Sequence, residues 1–160
     1  DMPHREYRLK NALLAVSSLY DYVLIDCPPS LGLLTLNSLA AANSFLVPLQ
    51  CEYYALEGLA DLTNTIERMT AKLNPSLQVR GILRTMYDPR ITLASDVSNE
   101  LIKHFGDKVF TTVIPRNIRL AEAPAHGVPV MYYDKGSRGA YAYLSLAAEL
   151  IKKDKKRKTV

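Results

Sequence analysis

Asp26 stands at the end of a short apolar run, Tyr22-Val23-Leu24-Ile25, and precedes Cys27-Pro28-Pro29-Ser30-Leu31-Gly32. An apolar strand that delivers one carboxylate, and is then stopped by two prolines, suits a particular chemistry. It can hold the water shell of a Mg²⁺ bound to nucleotide phosphates, which is the form of a Walker B strand. Mg²⁺ demands near-octahedral geometry at about 2.0–2.1 Å and keeps several waters, so a rigid strand end fits it. The same carboxylate could instead cap the following turn, as turn-forming aspartates often do. The matching phosphate loop, Gly-x-x-x-x-Gly-Lys-Ser/Thr, is missing: the chain has seven glycines and none precedes a lysine. Half of an ATP site is therefore expected here.

The elements that must position this carboxylate follow from hydrophobic spacing. Leu9, Leu13, Val16 and Tyr20 predict a helix near residues 5–19, feeding a strand at 22–26. A helix is expected at 33–42 and a strand at 44–49, ending at Pro48. A long stripe predicts a helix over 55–73, stopped by Asn74-Pro75. Strands are expected at 77–86 and 109–114, with a helix at 93–105 between them, closed by Gly106-Asp107. Residues 116–127 read as loop with room for a helical turn, 128–132 as a short edge strand, and Ala140 to Ile151 as an amphipathic helix. The strands are continuously apolar, as in a parallel sheet covered by helices on both faces. The fold class is α/β: three layers, α/β/α, with a mainly parallel sheet and right-handed crossovers. Ligands then bind outside the carboxyl ends of the strands, at residues 26–28, 50–52, 85–87 and 115–117. Arg84 interrupts a buried strand and has no assigned function.

Composition bounds the rest. The 160 residues suit one domain, 1–151, followed by a basic tail, 152–160. No apolar run approaches the roughly 20 residues that span a bilayer. Cys27 and Cys51 are isolated and read as small buried thiols of a reduced cytoplasmic protein. His4, His104 and His126 lack metal spacing and read as surface histidines. Of the net charge of +4, residues 152–158 supply six basic groups and one acid. The remainder has 14 basic and 15 acidic residues, so a polyanion such as DNA would meet the basicity at one end.

Several longer segments resemble the ParA/Soj-type partition ATPases, the deviant-Walker P-loop class that also contains MinD. They are residues 21–32, 48–59, 85–88 and 113–124, with Tyr133-Asp134 and Ser137-Arg138-Gly139-Ala140. The likeness runs from about Glu6 to Leu150 and implies a P-loop-like fold whose first strand and phosphate loop precede Asp1. By this resemblance Asp26 is the Walker B ligand of Mg²⁺ through water, and Pro28, Pro29, Ser30 and Gly32 form the switch that senses the γ-phosphate. Met86, Pro115, Arg116 and Asn117 would clasp adenine. Arg90, Arg119 and Arg138 would face DNA. The region of Glu52-Tyr53-Tyr54 lies near the family's nucleotide-sandwich dimer interface.

The implied function is an ATPase that dimerises on ATP, binds DNA without sequence preference and segregates chromosomes or plasmids with a ParB-type partner. ATP or ADP and Mg²⁺ are its cofactors, and its place is the nucleoid in the cytoplasm. The phosphate-loop lysine and the switch aspartate are not in this chain, so it holds no catalytic residue and is expected to be inactive alone. Two other readings are a non-catalytic DNA-binding fragment and a MinD-like membrane-associated positioning ATPase. The almost purely charged tail after Ile151 favours DNA over lipid.

Overall fold

Three strands form one sheet in the order β1-β2-β3: β1 is Ser44–Gln50, β2 Gln78–Tyr87 and β3 Val109–Pro115. The computed structural model describes residues 4–28, 30 and 32–158. The helices are α1 (Arg8–Leu14), α2 (Leu33–Ala41), α3 (Ala55–Thr70), α4 (Thr92–Phe105), α5 (Ile118–Glu122), α6 (Val130–Tyr133) and α7 (Arg138–Lys158). The chain divides into two compact units, Asp1–Phe45 with Leu59–Arg80, and Leu46–Gly58 with Gly81–Val160.

The second unit holds the parallel pair β2 and β3, with Ile82 opposite Val109, Arg84 opposite Val113 and Tyr87 opposite Pro115. Successive strand residues point to opposite faces. Leu83 packs with Phe110, Ile114 and Leu146 of α7, whereas its neighbour Arg84 bonds Ser98 of α4. Helices α7 and α4 therefore cover opposite faces, and this unit is a three-layer α/β/α body. Its centre is Phe110, which is fully buried. A Cβ on Gly81 would lie 2.5 Å from the Phe110 ring and 2.9 Å from the Lys108 carbonyl, so only glycine fits there.

The β2–β3 ladder carries two irregularities. Between Ile82 and Arg84, β3 spends two extra residues; between Arg84 and Tyr87, β2 spends one extra. Bulges leave backbone groups outside the ladder, and buried backbone groups must find partners. Here side chains supply them. Arg84 Nη2 donates to the carbonyls of Phe110 (2.9 Å) and Thr111 (3.2 Å), and its Nη1 donates to Ser98 Oγ (2.7 Å). Glu149 of α7 accepts the N–H groups of Thr111 (2.9 Å) and Thr112 (2.8 Å). Burial pushes the Glu149 carboxyl up, but the Thr112 and Thr111 donors and Lys153 outweigh it, and it titrates below the usual range.

In the first unit, α1 and α2 pack together. Asn74 is buried and donates to the carbonyls of Leu39 (2.9 Å) and Ala42 (2.8 Å), closing the carboxyl end of α2. Tyr7 reaches the Leu73 carbonyl at 3.3 Å.

Four local expectations are corrected. Residues 22–26 carry no strand assignment, and Leu24 is 91% exposed. A strand exists through its ladder, and among the described residues this run joins no ladder. Residues 130–133 are helix α6 rather than an edge strand: Pro129 holds φ at −61° and the Asp134 N–H closes on Val130. Strand β1 passes through Pro48 to Gln50. It lies at the edge of the three described strands, where a missing N–H is tolerated. Cys27 is exposed, while Cys51 is buried as expected. The basic residues after 151 continue α7 as far as Lys158.

Candidate functional site

In the first unit, Asp26 and Pro28 meet Arg5, Arg8, Leu34 and Asn37 around an open cleft of about 730 Å³. Asn37 ties its walls together. Its amide donates to the carbonyls of Arg5 and Leu33, both at 3.0 Å, and its oxygen accepts the Leu9 N–H at 3.2 Å. Asp26 is exposed at the cleft. Among the described residues no group of three His, Cys, Asp or Glu side chains could cage a metal. A single accessible carboxylate matches Mg²⁺ that keeps its waters and leans on ligand phosphates. The arginines beside it match the phosphates' charge.

Of the residues expected to form a switch, Pro28 lines this cleft. The Ser30 carbonyl accepts from Thr35 Oγ1 at 2.6 Å, which fastens the loop to α2. Gly32 caps α2 at φ −89°, a conformation open to any residue, so its glycine freedom goes unused here. Pro29 lies outside the described residues.

In the second unit, Met86, Pro115, Arg116 and Asn117 come together at the carboxyl ends of β2 and β3, where the Arg116 N–H bonds the Tyr87 carbonyl at 3.1 Å. Met86 occupies the bulge with φ +51°, a left-handed conformation uncommon for a side-chain-bearing residue. The bulge turns its side chain outward, 45% exposed. Asn117 caps α5 through Oδ1, which accepts the Arg119 N–H at 3.0 Å. Its Nδ2 has no hydrogen-bond partner among the described residues.

The three arginines differ sharply. Arg90 is gripped by Asp88: Nε reaches both carboxylate oxygens at 2.9 and 3.2 Å, and Nη2 lies 2.6 Å from Oδ2. The Arg90 N–H also donates to Asp88 Oδ1, at 3.0 Å. These hydrogen bonds to Arg90 draw the Asp88 carboxyl down to about 2. Arg119 bridges two acids, Glu122 at 2.8 Å and Asp134 at 3.2 Å. The bond to Arg119 lowers the Glu122 carboxyl, and Tyr133 adds a hydroxyl bond at 3.2 Å. Arg138 is exposed at the start of α7 and makes no ion pair among the described residues. The acids Asp88, Glu122 and Asp134 escaped sequence reasoning. The Arg119-x-x-Glu122 spacing was the available signal, since such pairs face each other on a helix.

Tyr53 and Tyr54 are both exposed and meet edge to face, with ring centroids 4.9 Å apart. They are surface groups beyond β1, with no part in the core.

A family profile described as an AAA domain matches residues 1–79. The chain is 57% identical over 146 residues to the sporulation initiation inhibitor protein Soj of Bacillus subtilis, covering 91% of the chain and 58% of Soj. It is 54% identical over 151 residues to the chromosome partitioning protein ParA of Myxococcus xanthus, covering 94% of the chain and 53% of that protein. A solved structure of cobyrinic acid a,c-diamide synthase from Mycobacterium smegmatis, with bound ADP and magnesium, superposes with a TM-score of 0.77 at 38% identity. That alignment covers 96% of the chain and 56% of the synthase. The chain thus spans between half and two thirds of the length of these relatives. With that identity along nearly all of its residues, and a parallel sheet between helices beneath it, the chain is similar to the Soj/ParA chromosome partitioning proteins over the part of their length that it spans.

Proposed function

We propose that this chain is part of a ParA-type ATPase that dimerises on ATP, binds DNA without sequence preference and segregates chromosomes or plasmids with a ParB-type partner. The identity to Soj and ParA along nearly the whole chain carries this reading. ATP or ADP and Mg²⁺ are the proposed cofactors, supported by the ADP and magnesium of the synthase structure. Mg²⁺ would supply electrostatic stabilisation of the phosphates. Asp26 would hold its water shell, with Pro28, Pro29, Ser30 and Gly32 responding to the γ-phosphate. Met86, Pro115, Arg116 and Asn117 would seat the base, with Asn117 Nδ2 as the donor. The exposed Tyr53–Tyr54 pair suits a dimer face, because aromatic groups are enriched in such interfaces. Arg90, Arg119 and Arg138 would meet DNA phosphates. The proposed location is the nucleoid within the cytoplasm. No helix among the described residues is long and apolar enough to cross a membrane.

Two measurements test the reading. The 160-residue chain should show no Mg²⁺-dependent ATP turnover above background, because no Gly-Lys pair is present to build a phosphate loop. Clear turnover would overturn that assignment. In a full-length Soj/ParA-type protein carrying this sequence, Asp26→Ala should lower hydrolysis by about 10–100-fold, as loss of an outer-shell metal partner does. Unchanged hydrolysis would remove the role given to Asp26.

A further inference from the structure

We infer that Asp88, and the pair Glu122 and Asp134, set the DNA affinity of this protein by occupying the forks of Arg90 and Arg119, so that phosphate binds there only by displacing a carboxylate. The inference rests on the proposal that these arginines face DNA, and it concerns how that surface is regulated. A guanidinium presents its donors in a rigid planar fork that fits carboxylate and phosphate alike. Two of the fork's nitrogens on Arg90 already bond Asp88, and the same aspartate holds the Arg90 backbone N–H. The Arg90 side chain is 87% exposed, yet that of Asp88 is only 13% exposed. The acid is thus anchored and the arginine is its outward arm. Arg119 is held on two sides, by Glu122 through Nη1 and by Asp134 through Nε. Tyr133 bonds Glu122 and stacks on His126 at 4.8 Å, which fixes that acid in turn.

Arg138 has no such partner among the described residues. The surface therefore combines two occupied forks with one open guanidinium. Occupied forks weaken contact with DNA without abolishing it, since exposed ion pairs are individually weak and yield to competing ions. Any rearrangement that withdraws Asp88 or Glu122 would raise affinity with no new basic residue. The acids would then be the elements through which DNA binding is turned up or down.

The test uses a full-length Soj/ParA-type protein carrying this sequence, with ATP and Mg²⁺, and a short random-sequence DNA duplex, read by fluorescence anisotropy across a salt series. Asp88→Asn keeps an oxygen for the Arg90 N–H and removes the charge. It should tighten binding about fivefold at low salt, the scale of an exposed ion pair. It should also steepen the salt dependence by about one phosphate contact. Glu122→Gln should act in the same direction while still accepting from Tyr133. Asp61→Asn makes the same change in net charge at an exposed residue of α3 that makes no ion pair among the described residues, and should leave affinity nearly unchanged. Adding Arg90→Ala to Asp88→Asn should erase the gain. Equal gains from Asp61→Asn and Asp88→Asn, or a gain that survives Arg90→Ala, would overturn the inference and leave DNA binding itself standing. Absence of DNA binding by every variant, at every salt concentration, would overturn the DNA reading and this inference with it.

Discussion

At the scale of single residues, charge and volume act separately. The Asp88 carboxyl titrates near 2 because of its hydrogen bonds to Arg90. Its folded value lies below the ordinary value of about 3.9, so the pair's contribution is complete above that value. It is lost only as the pH falls through about 2. A carboxyl-carbon NMR titration should therefore show Asp88 ionised at pH 3; a midpoint near 4 would contradict the ion pair. Gly81 tests volume instead. Gly81→Ala puts a methyl group against Phe110 and the Lys108 carbonyl, and overpacking of this kind costs about 1–3 kcal/mol. Urea unfolding should show that loss, whereas Gly32→Ala, with nothing within 4 Å of the new carbon, should be close to neutral.

At the scale of elements, the β2–β3 pair depends on side chains that complete its irregular ladder. Arg84 is 8% exposed, and its guanidinium satisfies two carbonyls and one hydroxyl, although Nε makes no bond. Arg84→Met removes the charge but orphans those acceptors. Leaving buried groups unsatisfied costs about 1–3 kcal/mol each, so a fall of several kcal/mol in unfolding free energy is expected. A change under about 1 kcal/mol would mean the carbonyls find other partners. Hydrogen exchange separates true strands from the apolar run before Asp26. Amides of Ile82, Leu83 and Ile114 should be protected, while those of Val23 and Leu24 exchange rapidly. Protection at Val23 and Leu24 would restore the strand that the sequence pattern suggests.

At the scale of the whole molecule, charge is unevenly spread, and helix α7 carries the basic end. Lys153 is already committed: it lies 4.5 Å from the centre of the Phe110 ring and bonds the Asp107 carbonyl at 3.0 Å. Truncation after Lys153 removes four basic residues and one acid without disturbing that packing. DNA affinity at low salt should fall by more than for any single arginine variant, with a shallower salt dependence. Unchanged affinity would confine DNA contact to the arginine surface.

The sequence by itself determined the α/β class, five of the helices, the strands β1, β2 and β3, and the likeness to Soj and ParA. These follow from periodicity, stop signals and long ordered motifs, all local in the chain. It also pointed to Asp26, which lines the cleft of the first unit, and to the four residues that gather at the ends of β2 and β3. Only tertiary structure decided which apolar run is a strand, because a ladder needs a neighbour that no local pattern supplies. It alone decided that Arg84 and Glu149 complete a bulge, that Asn74 caps a helix far away in sequence, and that Met86 turns outward. It alone paired Arg119 with Asp134 as well as Glu122. Hydrogen bonds and ion pairs between distant residues depend on where the backbone brings them, and spacing along the chain does not carry that information.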